Sequence, residues 1–165
     1  MTDIDTAILK RTTFVVADAE ASAKFYQDVF NWSIWYDNVL EADPRFPPSG
    51  ARGKAKVRLI ILQALDTKLG KLGLLQYIEP HFDTGHLTNR NRVRMGEPIM
   101  VIESKDIQGV YERAVAAGAN VITPPVDWYV PGPDGSSQIH LRTVSLFDPN
   151  GIYMEVSDHP SRKES

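Results

Sequence analysis

Glu155 stands between Met154 and Val156 in a run whose other members are apolar and β-prone. A carboxylate in mid-strand is disfavoured by β-propensity and by burial, so it needs a partner or a cavity. Facing a cavity it could act as a base or hold a divalent cation; at a rim it would form an ordinary ion pair. His140 and Arg142 share one face of another β-prone run by the two-residue period, and Arg58 occupies a similar run at 56–60. On a concave face these groups would combine a proton shuttle near neutral pH with arginines able to hold an anion. The competing arrangement sends the long polar side chains to water while Val57, Leu59, Leu141 and Thr143 pack inward. Periodicity does not choose between them.

The aromatic residues add a second set of candidates. Tyr36 lies in an aromatic run with Trp32 and Trp35, whereas Phe46, Trp128 and Tyr129 are flanked by Pro and Gly in irregular stretches. Such residues could close over a flat or apolar ligand, or form a dimer contact. His81 and His86 with Glu79 and Asp83 suggest a metal site only superficially, because their spacing is not His-x-x-x-His and a polar linker explains them. Arg90, Arg92 and Arg94 read as a solvated edge or a dimer contact.

The elements that must position these groups occur twice. Asp18 can cap a helix over 19–30, with Ser22, Phe25, Tyr26 and Val29 on one face. Ser104 or Asp106 can cap a second over 107–117, with Ile107, Val110, Tyr111, Ala114 and Ala117 inward and Gly118 as its stop. Runs at 9–18, 31–36, 56–63 and 74–78 read as strands around the first helix, and runs at 98–103, 120–122, 139–147 and 152–157 around the second. Asp148-Pro149-Asn150-Gly151 is strong turn chemistry and predicts a hairpin ending in the strand that carries Glu155. Irregular stretches remain at 43–50, 80–95 and 124–137. The first and third interrupt corresponding places and suggest lids or mouth walls.

Phe147-Asp148-Pro149-Asn150-Gly151-Ile152-Tyr153-Met154-Glu155 is similar to the Asp-Pro-x-Gly-x-x-x-Glu ending of the vicinal oxygen chelate superfamily, the glyoxalase, bleomycin-resistance and extradiol-dioxygenase group. Phe25-Tyr26-x-x-Val29-Phe30 and the opening strand from Leu9 to Asp18 also resemble family motifs. The resemblance implies an α+β fold of two βαβββ modules whose curved mixed sheets surround a cavity. It implies an N-terminal tail at 1–8, modules at 9–80 and 97–158, a linker at 81–96 and a tail at 159–165.

In the family a His and a Glu from each module would hold a divalent metal. Here Arg11 stands at the first His position, and an arginine offers no lone pair. Ile99 or Pro98 stands at the second, and Gln76 or Leu75 near the first Glu. Only Glu155 remains, so no metal and no other cofactor is expected. Arg11 would either pair with Glu155 or stay free for a ligand carboxylate, phosphate or oxyanion.

The chain has 165 residues, a net charge of -3 and no cysteine. This is ample for a packed core, argues against a nucleic-acid surface, and excludes disulfides and thiolate chemistry. The acidic start lacks a signal-peptide pattern and no apolar run approaches a membrane span. The expectation is a cytoplasmic homodimer without nucleic-acid or membrane partners. It would capture a small anionic or aromatic ligand through Arg11, Tyr36, Arg58, Gln76, Trp128, Tyr129, His140, Arg142 and Glu155. The alternatives are a metal-independent lyase or isomerase with Glu155 or His140 as base, and a glyoxalase-like metalloenzyme with displaced ligands.

Overall fold

The computed structural model describes residues 7, 9–49, 52–81 and 90–160. Along the chain its elements are β1 (Arg11–Val15), α1 (Ala19–Phe30), β2 (Ser33–Ala42), β3 (Ala55–Gln63), β4 (Lys71–Glu79), β5 (Met100–Glu103), α2 (Ile107–Ala116), β6 (Asn120–Pro131), β7 (Gln138–Phe147) and β8 (Tyr153–Asp158). They form two separate four-stranded sheets, ordered β1-β4-β3-β2 and β5-β8-β7-β6. In each, the first strand runs parallel to the last and the other neighbours are antiparallel. This is the βαβββ order twice over, an α+β fold. The chain divides into two compact units, Met1–Gln27 with Asn31–Gly85 and Asp28–Phe30 with His86–Ser165. Most of the expected tails, and His86 and Asp83 of the expected linker, lie outside the described residues.

Local chemistry fixes both helix starts. Asp18 accepts the Ala21 amide at 2.9 Å and Asp106 accepts the Gly109 amide at 2.9 Å, satisfying donors that the first turn leaves free. Asn31 ends α1 in the left-handed conformation, φ 57°, which asparagine tolerates better than most residues. The turn before β8 is built on Asp148. Its Oδ1 accepts the Asn150 and Ile152 amides at 2.8 and 2.9 Å, while Gly151 adopts φ 78° and donates to the Asp148 carbonyl.

Two expected strands are longer than their sequence runs. β2 continues to Ala42, and β6 runs through Trp128 and Tyr129 to Pro131. The irregular stretch expected at 124–137 therefore contracts to a tight turn in which Asp134 accepts the Ser136 and Ser137 amides. Pro124 and Pro125 are tolerated because β6 is an edge strand and they occupy the register shift between Thr123 and Val126, where no ladder donor is missed.

Each sheet has a buried side marked by its own alternation. In the first, Ile60, Leu62, Leu72 and Leu74 are buried on one face, and Val57, Leu75 and Tyr77 cluster with Ala42 and Ala55 on the other. In the second, Val144, Leu146, Met154 and Val156 form a fully buried apolar face, complemented by Ile107, Val110 and Ala114 of α2. Burying each such aliphatic side chain contributes roughly 1.5–3 kcal/mol.

Candidate functional site

The first unit carries a cavity of about 530 Å³ on the face of its sheet that holds Val57, Leu59 and Leu75. Leu40, Ala42 and Val15 extend the apolar wall, and Phe46 and Pro47 reach it from the segment after β2. That segment is a defined turn: Asp43 accepts the Arg45 amide and holds its guanidinium at 2.8–2.9 Å, which draws the Asp43 carboxyl below the usual range. Glu41 is likewise balanced by Lys54 at 3.4 Å. Arg11 is the remaining charge in the lining, and it makes no hydrogen bond or ion pair with any described residue. An apolar chamber with one exposed guanidinium in its lining is suited to an apolar or aromatic body bearing a negative group.

Alternation puts two expected site residues on the other face. Arg58 lies between Val57 and Leu59 and points toward the start of α1, bound to Asp37 at 2.9 Å and Glu20 at 2.8 Å. Its hydrogen bonds hold Asp37 below the ordinary carboxylate range and raise the guanidinium's own pKa. Gln76, opposite Arg58 in the ladder, accepts the Ala19 amide at 3.0 Å and so serves α1. Tyr36 pairs with Ile61 and does not line the cavity. Arg58 and Gln76, expected beside a ligand, both contact the first turn of α1.

The second unit separates its candidates in the same way. Glu155 shares a face with Tyr153, Ser157, Thr143 and Ser145 by register and alternation. The Tyr153 hydroxyl donates to Glu155 at 3.2 Å, and burial raises the Tyr153 pKa. Trp128 joins this face, donating its indole N–H to Thr143 Oγ1 at 2.8 Å, and Thr143 in turn meets Ser157 Oγ at 2.8 Å. His140 and Arg142 alternate to the opposite face. There Asp127 holds His140 Nε2 at 3.0 Å and Arg142 at 3.4 Å, and Tyr129 stacks on the imidazole with ring centroids 4.9 Å apart. Trp128 and Tyr129 are strand residues, so neither belongs to a lid. His140 and Arg142 thus share a face, as the two-residue period implies, and Glu155 lies on the other.

The residue set does not fit a bound divalent metal. One register relates the two halves, because Asp18 and Asp106 are the helix caps and the amides of Val16 and Ser104 donate to Leu75 and Ser157. On that register Arg11 corresponds to Ile99, and Glu155 corresponds to Gly73 rather than to Gln76 or Leu75. A side chain at Gly73 would collide with Thr13 Oγ1. The four positions thus offer a guanidinium, a hydrogen, an aliphatic chain and one carboxylate, far short of a metal's shell. Among the described residues no three His, Asp or Glu side chains form a group that could hold an ion.

A family model for the Glyoxalase/Bleomycin resistance protein/Dioxygenase superfamily matches residues 8–156. A glyoxalase family protein from Bacillus cereus superposes with a TM-score of 0.74 at 15% identity, over 96% of this chain and 97% of that one. TioX from Micromonospora gives 0.51 at 16% identity, over 93% and 99%. A glyoxalase I variant from Zea mays gives 0.60 at 18% identity, over 91% of this chain and 45% of its own. At these identities the structural likeness speaks for the fold. No curated protein matches the chain significantly.

Proposed function

Since the chain belongs to the Glyoxalase/Bleomycin resistance protein/Dioxygenase superfamily, we propose that it is a small-molecule-binding member that captures an anionic or aromatic ligand without a metal. The observation that carries this reading is the apolar cavity of the first unit with Arg11 unpaired in its lining. Arg11 is exposed and has no partner among the described residues, so its guanidinium is free to give a ligand carboxylate charge-assisted hydrogen bonds at the edge of the apolar wall. The metal-independent part rests on the donor set at Arg11, Gly73 and Ile99.

The test is calorimetric titration with naphthoate and its neutral counterpart naphthol, before and after chelator treatment. Naphthoate should bind more tightly, chelation should change nothing, and Arg11→Gln should weaken naphthoate about tenfold or more, since such a bond contributes about 1.5–3 kcal/mol. Binding abolished by chelation and restored by nickel or zinc would favour the metalloenzyme alternative instead. A metal-independent lyase or isomerase is the second reading, supported by Glu155 and Tyr153 sharing a hydrogen bond on one face. Its base would then be Glu155, because His140 is engaged with Asp127 on the other face.

A further inference from the structure

Beside the apolar cavity lies a cleft of about 610 Å³ lined by Lys10, Arg11, Thr13, Trp35, Lys68 and Lys71. Arg11 and Thr13 belong to both linings, so the cleft and the cavity adjoin. Four of its six side chains are cationic and none is acidic, in a chain whose net charge is -3. Local geometry holds them together. β1 runs parallel to β4 with Arg11 opposite Lys71, and like charges so placed repel unless something neutralises them. Trp35 occupies a bulge in β2, between Ile34 and Tyr36, and its ring lies 3.6 Å from Lys71 Nζ. That contact draws one ammonium onto a flat indole wall. Asp66 is the nearby acid, but its carboxylate accepts the Leu69 and Lys68 amides at 2.7 Å and shapes the turn that presents Lys68. The cluster therefore carries an excess of positive charge beside an apolar chamber.

We propose that this cleft is the head-group site for a dianionic ligand, a phosphate monoester whose aromatic or aliphatic body enters the adjoining cavity. This rests on the proposed ligand-binding reading and narrows its substrate class. A monoanionic carboxylate needs only Arg11, whereas a phosphate monoester presents more oxygens and a second charge, which the compact ammonium groups of Lys10, Lys68 and Lys71 suit. Phosphorylated aryl compounds fit both halves of the site.

Naphthyl phosphate, naphthoate and inorganic phosphate are the probes, titrated by calorimetry and by tryptophan fluorescence. Naphthyl phosphate should bind about tenfold more tightly than naphthoate, by the ordinary worth of added charged hydrogen bonds, and more tightly than inorganic phosphate. High ionic strength should erode the gain. Lys68→Gln, at an exposed turn, and Lys71→Gln should each remove several-fold of naphthyl phosphate affinity while leaving naphthoate nearly unchanged. Circular dichroism checks that both variants stay folded. Equal affinity for the two aryl probes, or indifference to both substitutions, overturns the head-group site while leaving the cavity reading intact. Failure of naphthoate as well would instead remove the cavity reading.

Discussion

Arg58 illustrates how side chains one residue apart serve different ends. Val57 and Leu59 line the cavity, while Arg58 spans Glu20 and Asp37 near the start of α1. Its loss should therefore be felt in stability. Arg58→Ala is expected to cost about 1 kcal/mol, the upper range for an exposed pair, and so to lower the melting temperature by about 2–4 °C in a chain of this size. Naphthoate affinity should stay unchanged; a marked loss would place Arg58 in the binding site after all. Sequence alone could identify Glu155 as a carboxylate needing an explanation and Arg11 as a misfit for a metal. It could not tell which face Arg58, Gln76, His140 or Arg142 would take, because that depends on one residue of strand register. Nor did local patterning reveal Trp35, Lys68 and Lys71, which come together only when β2, β4 and the turn before β4 are folded.

At the scale of elements, polar punctuation was legible and strand length was not. Asp18 and Asp106 mark the helix starts because their carboxylates satisfy local amides. The extension of β6 past two prolines depends on its edge position and bulge, which are properties of the sheet. The pairing of β1 with β4 also explains Gly73. A methyl group there would strike Thr13, whose side chain occupies the space a longer residue would need. Gly73→Ala should lower stability by about 1–3 kcal/mol, the usual cost of overpacking, and Thr13→Ala in the same chain should restore most of it. Chemical denaturation of both variants checks this; an unrescued loss would trace the cost to the backbone instead.

Taken over the whole molecule, the two halves share a topology but have diverged in the surfaces their sheets present. The first offers aliphatic side chains and Arg11; the second offers Trp128, Tyr153, Glu155 and hydroxyl groups. No helix among the described residues is long and apolar enough to cross a membrane. Several carboxylates are tuned by their partners: Asp37 by Arg58, Asp106 by Arg113 and the Gly109 amide, and Asp134 by the Ser137 amide and hydroxyl, which bring it to about 2. Each has a folded pKa below its unfolded value. Their stabilisation is complete above the ordinary Asp value of 3.8 and is lost as pH falls through the depressed folded values, toward about 2 for Asp134. Thermal stability should accordingly decline over that acidic window. A flat profile there would mean that these contacts do not survive in solution. The turn at Asp148 has a consequence for the protein's chemical lifetime. An asparagine followed by glycine ordinarily deamidates readily, through attack of the glycine nitrogen on the side-chain amide. Here the Gly151 nitrogen donates to the Asp148 carbonyl at 2.9 Å, and the Asn150 amide nitrogen is held 3.4 Å from Asp148 Oδ2. Both reacting groups are restrained, so isoaspartate should accumulate slowly in the folded protein and much faster once it is unfolded.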